Sequence, residues 1–426
     1  MFQVMAGVWA LLLGIVLIML GNGMHFTLMG LRGGIEGFSA AELAIVTSGY
    51  FVGFLAGARY APVLIRRVGH VRVFAALGSF MSAGLIAFTL LVEPWAWTLL
   101  RVMLGFCMSG IYVAAESWLN NAATNKTRGK VLSAYMMAQT LGIIGAQGLL
   151  SLGDAATPTL FILASILVSI SFGPILLSAT PMPATDTSRA MSLRQLFSEA
   201  PLGTAGIFLL GSIYATLTGM GAVYGSMTGW SAGQIALFVA VLFAGALALQ
   251  YPIGWLSDRM DRRKVILATA AIGALFCLPG ALLTQYFNLL LLAAFIVGGV
   301  TTPLYALFLA YTNDWLSPED MPAASGGLVF AFGLGAITGP LATGWAMQGM
   351  GPYGFWVVVG LTFGLIALYA IYRTSQRSVT PPAETESYLN VLPTTSAVAV
   401  EAAASWTADQ AEAEGETAPQ PAGQQA

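Results

Sequence analysis

Twelve apolar stretches occupy residues 1 to about 373, and short polar turns separate them. A helix needs about 20 consecutive apolar residues to cross the hydrocarbon core of a bilayer, and each stretch is of this length. Only 8% of the 426 residues are charged and 57% are hydrophobic, whereas soluble domains have about 25% charged residues. We therefore predict an all-α polytopic membrane protein with twelve transmembrane helices.

The chain repeats itself at a spacing of somewhat less than half its length. Residues 66–72 match residues 258–264 at an offset of 192, and residues 120–121 match residues 313–314 at an offset of 193. Both matches place equivalent segments between equivalent helices. The repeat predicts an N-terminal six-helix bundle over 1–178, a cytoplasmic central loop over 179–203 and a C-terminal six-helix bundle over 204–373.

Residues 374–426 differ in composition from the rest of the chain. Pro, Ala, Thr, Gln and Glu dominate there, and no helical period is visible. Beyond Arg377 there is no Lys or Arg, and there are seven acids: Glu384, Glu386, Glu401, Asp409, Glu412, Glu414 and Glu416. Segments of low hydrophobicity and high net charge do not bury enough apolar surface to fold alone. We predict a disordered acidic cytoplasmic tail.

The basic residues are distributed unevenly among the loops. With a cytoplasmic N-terminus, fourteen of the 17 Lys and Arg residues lie in cytoplasmic segments, and only Arg32 lies in an outer loop. Cytoplasmic loops of membrane proteins carry an excess of Lys and Arg. Both termini are therefore predicted to be cytoplasmic.

Several motifs resemble one known family. Residues 254–263, GWLSDRMDRR, resemble the loop signature GxLSDRxxRR of the major facilitator superfamily (MFS). Residues 101–105 resemble its fourth-helix motif RxxQG, with Leu104 in place of Gln, and residues 113–120 and 250–254 are similar to the YcaD-like branch of bacterial transporters. The resemblance covers about residues 1–375. It implies the MFS fold, in which two six-helix bundles rock around a central site.

The resemblance also implies a function. It indicates a secondary active transporter that moves a small-molecule or ion cargo across a bacterial membrane by alternating access, coupled to protons. No GxxxxGK[ST] motif for ATP is present, which favours coupling to a gradient. The expected location is the bacterial inner membrane, with a specialised intracellular membrane as the alternative, and the expected state is a monomer.

The loop signature differs between the two halves. In the first half, Arg66 stands where the superfamily usually has Asp, so the usual contact between carboxylate and arginine cannot form in the same way. The second-half copy, with Asp258, Arg259 and Arg262, is therefore the better candidate for an intact cytoplasmic gate.

Charged residues in the interiors of the predicted helices are confined to the first half, and they are Arg59, Arg101 and Glu116, with His25 as a titratable neighbour. A charge at membrane depth costs at least about 2.5 kcal/mol on insertion scales, so it needs a partner, water or a role. The fourth helix carries a polar stripe at spacings of 4, 4, 3 and 4 residues: Arg101, Gly105, Ser109, Tyr112 and Glu116. Because these positions share one helical face, we predict that the stripe faces the transport cavity, as the fourth helix does in the superfamily.

Each of these residues has alternative roles. Arg101 resembles the fourth-helix arginine beside the proton site of drug exporters, and the alternative is an interhelical anchor. For Glu116 we favour a gating salt bridge to Arg59, Arg66 or Arg67 over proton carriage. Arg59 either extends to the membrane surface or pairs with Glu116.

The first predicted helix and the second half add weaker candidates. Asn22 and His25 share one face of the first helix, and the His side chain either relays protons or is a structural hydrogen-bonding residue. The second half offers only neutral polar residues, for which packing is the default expectation: Tyr214, Thr218, Tyr224, Thr301, Thr302, Tyr305 and Tyr311.

Two further interpretations remain open beside a proton-coupled transporter. One is a transporter-like sensor or scaffold that docks through its tail. The other concerns cargo, since proteins of this general kind in magnetosome membranes are suspected to move iron. No pair of nucleophile and base, cofactor loop, His/Cys/carboxylate metal cluster or basic surface is visible. An enzyme, a bound cofactor or metal and a nucleic-acid partner are therefore not expected.

Overall fold

The computed structural model describes residues 2–123, 127–176, 191–317, 320–376, 388, 391–400, 402, 403 and 406. The helices in chain order are α1 (Phe2–Ile35), α2 (Ala40–Val68), α3 (His70–Leu90), α4 (Pro94–Ala122), α5 (Arg128–Leu150), α6 (Thr159–Leu176), α7 (Leu193–Glu199), α8 (Pro201–Ala215), α9 (Gly221–Met227), α10 (Ala232–Ser257), α11 (Arg262–Leu282), α12 (Phe287–Asn313), α13 (Met321–Met350) and α14 (Tyr353–Thr374). A π-helical turn over Thr216–Met220 joins α8 to α9 into one rod. The described part of the chain contains no strand.

All twelve predicted helices are present, if the rod of α8 and α9 is counted as one. Among the described residues, ten are long and apolar enough to cross a membrane. The other two are α5, which carries Gln139 and Gln147, and α6, whose apolar part is short. The predicted all-α membrane fold is confirmed.

The central loop differs in detail from the prediction. The short helix α7 lies within this loop, because Ser192 accepts a hydrogen bond from the Gln195 N–H and so caps the start of a helix. The next helix, α8, begins at Pro201, within the predicted loop. Residues 179–190 of this loop lie outside the described residues, so the boundaries of the two halves remain a prediction.

The repeat extends to the way helices begin. Ser39 caps α2 and Ser231 caps α10, and each accepts a hydrogen bond from the backbone N–H three residues later. The residue at that third position, Glu42 or Gln234, bonds back to the cap. Such a capping box satisfies two backbone donors that a helix start leaves open. The two caps are 192 residues apart, which is the repeat spacing.

The repeat is also visible in how the helices cross. Gly53 in α2 and Gly105 in α4 lie so close to the partner backbone that a Cβ atom would overlap the carbonyl oxygens of Val102 and Tyr50. Gly245 in α10 and Gly298 in α12 make the equivalent crossing in the second half. Small residues let membrane helices approach closely, so each half has the same tightly packed pair.

The two halves touch directly at one end of the bundle. We call the end at which α1 begins and α14 ends the terminus-bearing end, and the other the opposite end. At the opposite end, Gly30 of α1 packs against the backbone of Ala222 and Val223. Deeper in the bundle, the Ser48 hydroxyl donates to the Ile337 carbonyl at 2.8 Å. The opposite end is therefore closed by contact between the halves.

Part of the predicted tail lies among the described residues. Residues 391–400 are packed against the bundle, with Val391, Thr395 and Val400 almost fully buried, and residues 397–400 form a helical turn. The expectation of disorder rested on the average composition of the tail. That average conceals a short apolar stretch, which can bury its side chains between helices that the rest of the chain supplies. Most of the remaining tail lies outside the described residues.

Candidate functional site

A cavity of about 50 Å³ lies between the two halves. Residues of α1, α2, α4 and α5 line one wall, residues of α8, the π-helical turn and α10 line the other, and Thr394 contributes from the tail. The lining residues are Met19, Asn22, Gly23, Phe26, Thr27, Tyr50, Phe51, Tyr112, Ile143, Gln147, Tyr214, Thr218, Val239, Phe243 and Thr394. None of these residues is charged, so the cavity suits an uncharged molecule with an apolar or aromatic face.

Two of the six predicted cavity residues line this space, namely Asn22 and Tyr112. Asn22 is 7% exposed, and among the described residues its Oδ1 atom has no hydrogen-bond partner. Buried polar atoms are almost always paired. An unpaired acceptor at a cavity wall is therefore available to a donor on a bound molecule.

A second polar group on the wall is already paired. Thr27 donates its hydroxyl hydrogen to Gln147 Oε1 at 2.9 Å, and the Gln147 Nε2 atom approaches the Gly23 carbonyl at 3.5 Å. These bonds join α1 to α5. They fix the position of the amide that faces the cavity.

Arg101 and His25 lie behind the cavity wall. Arg101 is 1% exposed, and its guanidinium stands 4.0 Å from the ring centre of Phe26 and 4.6 Å from that of Tyr50. Its Nη1 atom is 3.4 Å from His25 Nδ1. Because both rings line the cavity, Arg101 supports the aromatic wall from behind through cation–π contacts. This arrangement favours the anchoring role over direct contact with cargo.

The polar stripe of α4 does not face the cavity as a whole. Gly105 packs on the Tyr50 carbonyl, and Ser109 lies beside Gly57 of α2. These positions form the crossing with α2, where close approach requires small side chains. In this structure Ser109 belongs to the helix crossing, since a stripe of small and polar residues can equally mark a helix contact, and its role in the cavity stays a prediction.

Glu116 lies near the terminus-bearing end and is 1% exposed. Tyr135 donates its hydroxyl hydrogen to Glu116 Oε1 at 3.0 Å, and the Ser396 backbone N–H donates to Oε2 at 2.9 Å. The favoured salt bridge to an arginine is not among the described contacts of Glu116. Arg59, Arg66 and Arg67 are instead exposed on the surface, which for Arg59 agrees with an extension to the membrane surface.

The second-half loop is ordered, and each of its three candidate gate residues has a different partner among the described contacts. Arg262 forms a buried ion pair with Asp314 at 2.5 Å, and its Nε donates to the Ser257 hydroxyl. Arg259 stacks on the Trp255 ring at 4.1 Å. Because both the ion pair and the stacking pair lie within the second half, neither closes a path between the halves.

Asp258, the third gate candidate, contacts the tail. Its Oδ1 atom accepts a hydrogen bond from the Tyr388 backbone N–H at 2.9 Å. Burial raises the pKa of the Tyr388 hydroxyl above its ordinary value, so this group keeps its proton. The residue expected to close the gate thus holds a segment that the sequence suggested was disordered.

The sequence interpretation missed several residues of the cavity. Tyr50 and Gln147 carried no visible signal. Tyr214 and Thr218 were assigned to packing, although their spacing of four residues places them on one helical face. Thr394 was overlooked because it lies in the tail.

Comparison with known proteins agrees with this architecture. The family model described as Major Facilitator Superfamily matches residues 11–233 and 223–408. The chain belongs to this superfamily. MFS proteins are transporters, so the expectation of a transporter rather than an enzyme is confirmed.

Relatives of this MFS protein have been named but not characterised. The "Uncharacterized MFS-type transporter YcaD" of Escherichia fergusonii is 26% identical over 378 residues, which cover 88% of this chain and 98% of the relative. YfkF of Bacillus subtilis, also named an uncharacterized MFS-type transporter, is 26% identical over 83% of this chain and 91% of its own. The resemblance to the YcaD-like branch is confirmed.

Two solved structures share the fold. The nucleoside transporter NupG superposes with a TM-score of 0.72 at 14% identity, covering 85% of this chain and 98% of NupG. A bacterial homolog of the human lysosomal transporter Spinster, in an inward-facing and unoccupied conformation, superposes with a TM-score of 0.68 at 18% identity, covering 98% of this chain and 99% of its own. At these identities the comparison describes the fold of this MFS protein alone.

Proposed function

We propose that this protein is a secondary active transporter that moves a small uncharged solute by alternating access. The observation that carries the proposal is the cavity between the halves, with its uncharged aromatic wall and the unpaired Oδ1 atom of Asn22. Sites for small molecules are usually apolar clefts with a few convergent polar groups. A planar polar solute would stack on Tyr50 or Tyr112 and donate a hydrogen bond to Asn22.

The contacts between the halves support an inward-facing state. The halves meet at the opposite end through Gly30, Ala222 and Val223. The positive-inside rule places the terminus-bearing end in the cytoplasm. The opposite end, which is closed by contact, then faces the outside, and the entrance of the cavity in this state lies at the cytoplasmic end.

We assign the coupling role to Glu116. It is a buried carboxyl group between the cavity and the terminus-bearing end, and its described partners are hydrogen-bond donors rather than a cation, whereas the buried carboxylate of Asp314 is paired with Arg262. A carboxyl group that is not held in a salt bridge can take up and release a proton as access alternates. For the alternative iron cargo, no group of three or more His, Cys, Asp or Glu residues comes together in the described part of the chain.

The test is proton flux in proteoliposomes loaded with a pH-reporting dye. Nucleosides are added first, because the NupG structure is that of a nucleoside transporter, followed by amino acids, hydrophobic cations, organic anions and ferrous iron. We expect flux with an uncharged planar solute, with a higher KM in Asn22→Ala because the wall loses its acceptor. Flux with ferrous iron or a strongly charged anion alone would overturn the proposed solute class. Silence with every solute, in folded protein, would favour the sensor or scaffold interpretation.

A further inference from the structure

One segment of the tail bridges the two halves at the terminus-bearing end. The Tyr388 N–H bonds to Asp258 in the second half, and the Tyr388 ring packs on Gly254 of α10. Eight residues later, the Ser396 N–H bonds to Glu116 in the first half. Both contacts use a backbone donor and a carboxylate acceptor. Hydrogen bonds of this charge-assisted type are stronger than neutral ones.

The middle of the segment enters the transport cavity. Thr394 forms part of the cavity wall, together with Tyr112 of the first half and Tyr214 of the second. The adjacent Thr395 is 1% exposed, and its hydroxyl points to the Met136 sulfur at 3.7 Å. The segment therefore occupies the volume between the cavity and the terminus-bearing end, where a solute would have to pass.

The segment continues along the first half beyond Ser396. Ala399 and Ala402 line a second, smaller space with Glu116 and Leu132. The Trp406 ring then lies over Gly129, at the start of α5, where a Cβ atom would clash with it. The described contacts of the tail thus extend from α10 to α5, across the gap between the halves.

The length and charge of the tail suit this position. Eleven residues lie between Gln376, two residues beyond the end of α14, and Tyr388, and an extended chain over this stretch reaches about 40 Å. Beyond Arg377 the tail has seven acids and no Lys or Arg. The loops of the terminus-bearing end carry most of the basic residues, so the charges of tail and loops attract each other.

We propose that the described part of the tail at this end, Tyr388 and residues 391–400, is an autoinhibitory plug, bound to Glu116 and Asp258, that closes the terminus-bearing entrance of the cavity. Because the plug is tethered to α14, its effective concentration at the entrance is high without a strong contact at any one residue. The plug must leave before a solute can pass. This consequence for flux rests on the proposed transport function, whereas the closure itself does not.

Closure can be measured without knowing the solute. Both native cysteines are first removed by Cys107→Ala and Cys277→Ala, and Thr218→Cys then places a single thiol on the cavity wall. A membrane-impermeant sulfonated maleimide is applied to inside-out vesicles, and the rate at which it labels this thiol is measured. The full chain is compared with a chain that ends at Arg377 and with a matched chain that ends at Thr407 and retains the plug. A separate variant, Ser198→Cys, carries its thiol on the exposed face of α7. Its labelling shows that the reagent is active and that this side of the membrane faces the reagent.

A second pair of variants tests the plug without shortening the chain. Ser396→Pro removes the N–H that bonds to Glu116, whereas Ser396→Ala keeps it. We expect labelling at residue 218 to accelerate about tenfold in Ser396→Pro, the scale expected for losing one hydrogen bond to a charged group. Labelling should accelerate at least as much in the chain that ends at Arg377. It should accelerate less in Ser396→Ala than in Ser396→Pro, because Ser396→Ala loses only the hydroxyl that also faces Glu116, and should not change in the chain that ends at Thr407.

Two results would overturn the proposal. One is equal labelling of the full chain and the chain that ends at Arg377, because the entrance would then be open with the plug present. The other is acceleration in the chain that ends at Thr407, because the closing segment would then lie beyond residue 407. Neither result bears on whether the protein transports a solute.

Discussion

Glu116 and Ser396 are 280 residues apart in the chain, yet the Ser396 N–H donates to Glu116 Oε2 at 2.9 Å. Tyr135 donates to the other oxygen of the same carboxyl group at 3.0 Å. One group thus receives a donor from the transmembrane bundle and a donor from the tail. This relationship links the coupling role proposed for Glu116 to the closure of the entrance.

Glu116→Gln should separate proton coupling from solute movement. The amide retains an oxygen acceptor but cannot carry a proton. We expect exchange of solute across proteoliposome membranes to persist, and accumulation driven by a pH gradient to disappear. The matched control is Glu42→Gln, because the equivalent third position of the capping box of α10 is already a Gln, Gln234. Gradient-driven accumulation at the wild-type level in Glu116→Gln would refute the coupling role.

Arg101→Ala should destabilise the first half and weaken solute binding. A desolvated cation–π contact contributes about 2 kcal/mol, and the substitution also leaves an empty volume behind Phe26 and Tyr50. Arg101→Lys should recover only part of the loss, because an ammonium lacks the planar face of guanidinium. Thermal unfolding in detergent measures the effect, with the exposed Arg59→Ala as control. If Arg101→Ala and Arg59→Ala unfolded at the same temperature, the anchoring role would be excluded.

Gly53→Ala and Gly245→Ala should both lower the amount of folded protein, because each added methyl would collide with a carbonyl oxygen of the crossing helix. Overpacking of this kind costs about 1–3 kcal/mol. Gly148→Ala is the control, since no atom lies within 4 Å of its Cβ position, and Ala favours helix over Gly by about 1 kcal/mol. Size-exclusion profiles after extraction report the folded fraction. Equal profiles for all three variants would contradict the equivalent crossings.

Asp314→Asn should destabilise the second half strongly. Removing one partner of a buried ion pair costs about 3–5 kcal/mol, because the other charge stays buried without compensation. The double variant Arg262→Met with Asp314→Leu should recover most of the loss. Thermal unfolding of the single and double variants provides the comparison. An equal loss in both would mean that packing around Arg262, rather than the charge pair, stabilises this end of the bundle.

The sequence predicted the overall architecture well for a physical reason. In a bilayer, a long apolar stretch can form all its backbone hydrogen bonds internally only as a helix. The positions of the twelve apolar stretches therefore predict the twelve helices. The repeat was detected from the loops at 66–72 and 258–264, and the structure extends it to Ser39 and Ser231. The two halves have the same kind of residue at equivalent helix starts, where a Ser caps the helix, and at equivalent helix crossings, where a Gly permits close approach.

The site was predicted less well, because helical spacing identifies a face but not what that face touches. Asn22 and Tyr112 do line the cavity, whereas Ser109 lies on the same stripe and faces α2. Arg101 and His25 are 76 residues apart, and no local pattern could pair them. The contacts of Glu116 and Asp258 with the tail depend on a segment whose composition alone suggested disorder.

A reversible crosslink at the opposite end tests alternating access most directly. A Cβ atom on Gly34 would lie 3.3 Å from the Ser226 Cβ, close to the separation of about 3.5–4.5 Å found in disulfides. Gly34→Cys with Ser226→Cys, in the background without native cysteines, therefore joins the halves where they already touch. We predict that oxidation abolishes flux in proteoliposomes and that a reductant restores it, with the single variants unaffected. Full flux through protein shown to be completely crosslinked would contradict the account.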